Sequence, residues 1–92
     1  MTVLYDSRFK KSYKKLHPNQ QSYVDNAITE VTKNPNIGEQ KKGDLSWLRV
    51  YKFKMLKQHS LLGYSINEKD EIILTLVDVG PHENFYRNLK SQ

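Results

Sequence analysis

Apolar residues recur along this chain with two different periods, and the change of period divides it in two. In the front half the spacing is helical. Phe9, Tyr13 and Leu16 fall at i, i+4 and i+7, which predicts a helix over 7–16 with Ser7 as its N-cap. Leu16-His17-Pro18 interrupts that stripe, because proline disfavours helical geometry in the residue before it. A second helix is predicted from about Pro18 to Thr32, with proline in the first turn, where its missing N–H costs nothing. Its apolar stripe is Val24, Ala27, Ile28 and Val31. Before these helices, residues 2–6 read as a short strand; after them, Asn34-Pro35-Asn36-Ile37-Gly38 reads as a loop.

In the back half the period falls to two. Over Leu48–Lys54, Tyr51 and Phe53 share one face while Val50, Lys52 and Lys54 share the other. A turn around Leu56-Lys57 leads to a strand over about His59–Ile66, with Leu62, Tyr64 and Ile66 on one side and His59, Leu61 and Gly63 on the other. The polar stretch Asn67-Glu68-Lys69-Asp70 predicts a turn into Glu71–Val79, whose run Ile72–Val77 is apolar on both faces, as a central strand requires. Gly80-Pro81 ends that strand and leaves room for a short helix over His82–Lys90. The expectation is one α+β domain spanning residues 1–92. The N-terminal strand and a helical hairpin cover one face of a twisted, mainly antiparallel four-stranded sheet, and the opposite face stays partly open with Lys52 and Lys54 standing on it.

Composition narrows the function. The 92 residues carry 15 Lys or Arg against 10 Asp or Glu, a formal charge of +5, and no cysteine. A disulfide framework, a thiolate metal site and a cysteine nucleophile are excluded. Three scattered histidines argue against a structural metal, and no apolar run is long enough to span a membrane. The N-terminal stretch also lacks the apolar core of a signal peptide, so a cytoplasmic protein is expected. Charge is uneven: residues 1–57 hold 12 bases and 5 acids, whereas residues 58–92 hold 3 bases and 5 acids. Clustered bases suit a polyanion, nucleic acid first, although lysines also simply solvate a helix face.

The positions that could carry chemistry are few. Lys52 and Lys54 stand on one strand face ~7 Å apart, and two like charges there call for an anion or guard a sheet edge. His82 follows the central strand and can exchange a proton near neutral pH; Tyr86 lies one helical turn beyond it. An aromatic ring and a proton donor beside two ammonium groups suit a nucleotide, the ring against a base and the lysines on phosphate. His59 shares the parity of that face. His17 reads as structural and Trp47 as a packing residue. There is no glycine-rich phosphate loop and no carboxylate pair at useful spacing.

The order of these elements, with Leu-Arg-Val-Tyr-Lys-Phe-Lys, Leu-Leu-Gly-Tyr and Leu-Val-Asp-Val-Gly-Pro-His-Glu-Asn-Phe-Tyr-Arg on successive strands, resembles the RelE/ParE superfamily of toxins from bacterial type II toxin–antitoxin pairs. The resemblance runs from Phe9-Lys10-Lys11 through Asn34-Pro35-x-Ile37-Gly38 to Tyr86. It implies a RelE-like fold, a cognate antitoxin as partner and neither metal nor cofactor. It also implies an mRNA interferase acting on the ribosome, in contact with 16S rRNA, in which a ribose 2′-OH attacks the neighbouring phosphate. By that resemblance His82, Lys52, Lys54 and Tyr86 are the catalytic set, and Arg49, Lys57, His59, Lys10, Lys11 and Lys14 bind RNA or phosphate. Leu61 stands where RelE members carry an arginine. The same superfamily also implies two other activities, a ParE-like inhibitor of DNA gyrase or a module that mainly binds its antitoxin.

Overall fold

The computed structural model describes residues 1–69 and 71–90. A strand β1 (Thr2–Tyr5) leads into helices α1 (Ser7–Lys14) and α2 (Pro18–Lys33). A two-residue strand β2 (Glu39–Gln40) and a single 3-10 turn (Gly43–Leu45) follow. Strands β3 (Arg49–Met55), β4 (Gln58–Asn67) and β5 (Ile73–Pro81) come next, and α3 (His82–Lys90) closes the fold. The sheet order is β1-β5-β4-β3-β2, with β1 parallel to β5 and every other pair antiparallel. The expected α+β architecture is present with five strands in place of four. Glu39–Gln40 pairs with Arg49 and Val50, and two residues are too few for alternation to reveal a strand.

Local chemistry explains the helix starts. Asp6, not Ser7, caps α1: its backbone is extended and its carboxylate accepts the Arg8 N–H at 2.9 Å, which leaves Ser7 as the first helical residue. His17 occupies the corresponding position of α2, where the Gln20 side chain accepts the His17 N–H at 2.9 Å. Between β3 and β4 the chain reverses through Leu56 and Lys57, with Leu56 at φ 57°. That left-handed conformation costs a leucine ~1–2 kcal/mol and holds Lys57 at the hairpin tip. Of the polar stretch expected to turn into β5, Asn67 ends β4 and Asp70 lies outside the described residues.

Two apolar clusters sandwich the sheet. The larger joins Phe9, Val24, Ala27 and Val31 of the helical hairpin to Leu62, Tyr64, Leu74 and Leu76. On the opposite face Leu48, Val50, Leu61 and Val77 form a second cluster, and Phe85 of α3 covers it. The face expected to be partly open is therefore roofed along its middle by α3. Gly38 lets the loop after α2 close. Its N–H donates to the buried Tyr64 hydroxyl at 2.9 Å, and a Cβ there would meet that oxygen at 2.6 Å.

Candidate functional site

Strand register brings distant residues to one end of the sheet. In the β3–β4 hairpin Lys54 lies opposite His59 and Lys52 opposite Leu61. Across β4 and β5, Ser60 lies opposite Pro81, so the chain enters α3 beside His59. Lys52, Lys57, His59, Leu61, His82 and Glu83 consequently line one cavity of ≈ 590 Å³. Two imidazoles and two ammonium groups share it, and Lys54 stands on the adjoining strand position facing His59. Five of the expected site residues thus gather at one place. Among the described residues, no three His, Asp or Glu side chains come together as metal ligands.

The helix that carries His82 is seated by a glycine. Phe85 lies directly over Gly63, where a Cβ would come within 2.6 Å of the ring and 3.2 Å of Leu48. Phe85 is fully buried and meets Tyr86 edge-on, with ring centroids 5.3 Å apart. Tyr86 lies one turn beyond His82, outside the cavity lining, and packs against the second cluster. Its ring meets Lys41, whose Nζ stands 5.4 Å from the ring centroid and 2.6 Å from a Glu39 carboxylate oxygen. The Glu39 carboxylate, then Tyr86, raise the Lys41 ammonium above the ordinary lysine range. Lys41 in turn lowers the Glu39 carboxyl, with the Lys52 and Lys42 charges adding to the effect. Glu39, Lys41 and Lys52 therefore share one electrostatic neighbourhood.

Other expected residues lie elsewhere. Arg49 points to the hairpin side, as strand alternation requires, and donates to the Gly38 carbonyl at 2.8 Å, holding the loop after α2. It is a structural tie here and does not line the cavity that holds Lys52, His59 and His82. Lys10 and Lys14 flank an apolar groove formed by Tyr5, Phe9 and Tyr13. Lys11 faces a different groove, shared with Arg8, Lys15 and Trp47. Trp47, expected to pack, is 51% exposed and belongs to neither cluster.

Three polar residues in informative places had no sequence signal. Glu39 and Lys41 sit between the loop predicted over 34–38 and the strand predicted from Leu48, and nothing in their spacing points to a tyrosine forty-five positions beyond Lys41. Asp78 occupies a strand predicted to be apolar. A register shift opposite Gly63 and Tyr64 skips Val77 and turns Asp78 towards α1. There it accepts the Ser12 hydroxyl at 2.7 Å and its neighbour's N–H at 2.8 Å.

Comparisons with known proteins agree with this fold. A family described as ParE-like toxin of type II bacterial toxin–antitoxin system matches residues 3–90. Among solved structures, a doubly substituted E. coli toxin RelE in the free state aligns with TM-score 0.70 at 18% identity, covering 98% of this chain and 95% of that one. A RelBE2 toxin–antitoxin complex from Mycobacterium tuberculosis aligns with TM-score 0.74 at 17% identity, over 88% of this chain and 96% of that chain. The intact E. coli RelBE complex aligns with TM-score 0.67 at 21% identity, over 87% and 94%. At these identities the solved structures establish the fold. No curated protein matches the sequence significantly.

Proposed function

We propose, since the chain belongs to the ParE-like toxins of type II bacterial toxin–antitoxin systems, that this toxin is an endoribonuclease which cleaves mRNA on the ribosome and is held inactive by a cognate antitoxin. The observation that carries this reading is the meeting of Lys52, His59 and His82 in one cavity, with Lys54 facing His59. Cleavage of a ribose-phosphate chain by its own 2′-hydroxyl needs three things: a base for that hydroxyl, positive charge on the phosphorane, and an acid for the departing oxygen. The cavity holds candidates for all three.

In the proposed reaction one imidazole takes the 2′-hydroxyl proton as the 2′-oxygen bonds to the adjacent phosphorus. Lys52 and Lys54 stabilise the negative charge that accumulates on the non-bridging oxygens. The bond from phosphorus to the 5′-oxygen breaks, and the second imidazole protonates that oxygen. The products are a 2′,3′-cyclic phosphate and a 5′-hydroxyl, and atoms balance without a cofactor. His82, at the start of α3, is assigned one of the two proton transfers and His59 the other. Tyr86 orients the nucleotide. His59 also supplies a polar group near Leu61, where RelE relatives carry an arginine.

Solved relatives of the same fold are complexes of a RelE toxin with its antitoxin, which supports a protein inhibitor as the partner of this chain. The ParE side of the superfamily resemblance implies a second reading, inhibition of DNA gyrase. One experiment separates the two. During induced expression, mRNA ends and gyrase-dependent DNA breaks are mapped in the same cells. Cuts within translated messages that vanish in His82→Ala and in Lys52→Ala/Lys54→Ala, with the variants still folded, are the expected result. Intact mRNA together with gyrase-dependent breaks would overturn the ribonuclease reading. Loss of His82 should lower cleavage by about a hundredfold or more, the usual scale of an acid–base group.

A further inference from the structure

Lys41 is an unusually restrained lysine for the rim of a small domain. Its backbone N–H donates to the Leu48 carbonyl at 2.9 Å, closing the loop that contains the 3-10 turn. Its side chain is only 23% exposed, and its Nζ is fixed between the Glu39 carboxylate, 2.6 Å away, and the Tyr86 ring, 5.4 Å away. Holding a lysine in one rotamer sacrifices more side-chain freedom than most residues possess. An ion pair such as Lys41–Glu39, whose carboxylate is 67% exposed, returns little stability for that loss. The arrangement therefore makes more sense as a constraint on what the ammonium touches, and what it touches is Tyr86.

Tyr86 needs such a constraint. Phe85 anchors α3 by burial over Gly63, whereas Tyr86 is half-buried at the margin of the same cluster. Edge-on contact with Phe85 restrains its ring, and Lys41 approaches the same ring. A cation within about 6 Å of an aromatic centroid is attracted by the ring's quadrupole, and more so when water is partly excluded. Glu39 lies opposite Val50, two residues before Lys52 on the same strand, and Tyr86 lies one helical turn beyond His82, so the clamp borders the cavity where Lys52, His59 and His82 meet.

We propose that Lys41, itself held by Glu39, is a positioning residue that clamps the Tyr86 ring beside the cleavage cavity. The inference rests on the ribonuclease reading, within which Tyr86 orients the nucleotide. It assigns function to a residue on the short β2–β3 connection, remote in sequence from every other member of the site. Lys41 does not touch the reacting phosphate. Its contribution reaches the substrate through the ring.

The test is cleavage of a defined mRNA on stalled ribosomes by the full chain, with turnover rate and apparent affinity measured separately. Lys41→Met keeps the aliphatic stem and removes the charge. It should lower the turnover rate by about tenfold with apparent affinity nearly unchanged, the scale of one partly desolvated cation–aromatic contact. Lys41→Arg, which restores a cation over the ring, should recover most of that rate. In a Tyr86→Phe background, which keeps the ring and removes only the hydroxyl, Lys41→Met should still impair turnover; in Tyr86→Leu it should have no further effect. Wild-type turnover in Lys41→Met, or an equal loss in the Tyr86→Leu background, would overturn the clamp while leaving the ribonuclease reading intact. Full activity of Tyr86→Leu would remove Tyr86 from the site and the clamp with it. Absence of cleavage by the wild-type chain would defeat the underlying reading.

Discussion

Asp78 is the only charged residue fully buried among those described, and its surroundings set the sign of its effect. Burial raises its carboxyl above the ordinary aspartate range, while the Ser12 hydroxyl and the Val79 N–H partly oppose that rise. A carboxyl whose folded-state value lies above its unfolded value binds a proton more tightly when folded. Its stabilising contribution is therefore complete below the unfolded value and is lost as pH rises through the folded one. Asp78→Asn should remove this pH dependence while keeping an oxygen that accepts from Ser12 and Val79. Denaturant midpoints measured from mildly acidic to neutral pH should show the wild type gaining stability towards acid, relative to the variant. Asp78→Ala leaves the Ser12 hydroxyl and the Val79 N–H without their acceptor and should cost about 1–3 kcal/mol, more towards acid pH.

At the scale of elements, α3 joins the scaffold to the chemistry. It carries His82 and Tyr86 but is held mainly by Phe85, Tyr86 and Leu89 against Leu48, Val50, Leu61 and Val77. Gly63→Ala places a Cβ 2.6 Å from the Phe85 ring. The helix should then lift from the sheet, since the larger cluster on the opposite face does not depend on it. The expected outcome is an intact far-ultraviolet circular dichroism spectrum with cleavage reduced at least tenfold, a loss of geometry more than of stability. This contact also shows why the sequence revealed the elements better than their neighbours. The stripe of Phe9 and Tyr13 and the alternation of Lys52 and Lys54 follow from period alone, and both helices formed where period placed them. The seat of Phe85 on Gly63, the bulge that turns Asp78, and the approach of Lys41 to Tyr86 depend on residues distant in sequence. Arg49 is an intermediate case: alternation assigned it to the hairpin side, and the structure adds the carbonyls it holds.

For the whole molecule, the excess of bases in the first 57 residues becomes three separate surfaces. Lys52 and Lys57 face the cavity, Arg8, Lys11 and Lys15 border one groove, and Lys10 and Lys14 border another. Only the first adjoins the histidines. Lys10→Ala/Lys14→Ala should therefore slow association with ribosomes several-fold at low salt while leaving turnover unchanged, and the difference should shrink as salt screens it. Stopped-flow binding at two ionic strengths checks this, and an equal turnover loss would place those lysines in the chemistry. The pairing of β1 with β5 carries a further consequence, one of timing. Val3 lies beside Leu74 and Leu4 beside Thr75, so the strand synthesised first waits for one synthesised almost last. His82 emerges later still. A ribosome making this chain exposes the apolar faces of both helices well before the strands that cover them. The cavity has no second wall until β5 and α3 are free. Synthesis thus separates the moment when the helices emerge from the moment when the cavity can first close around a substrate.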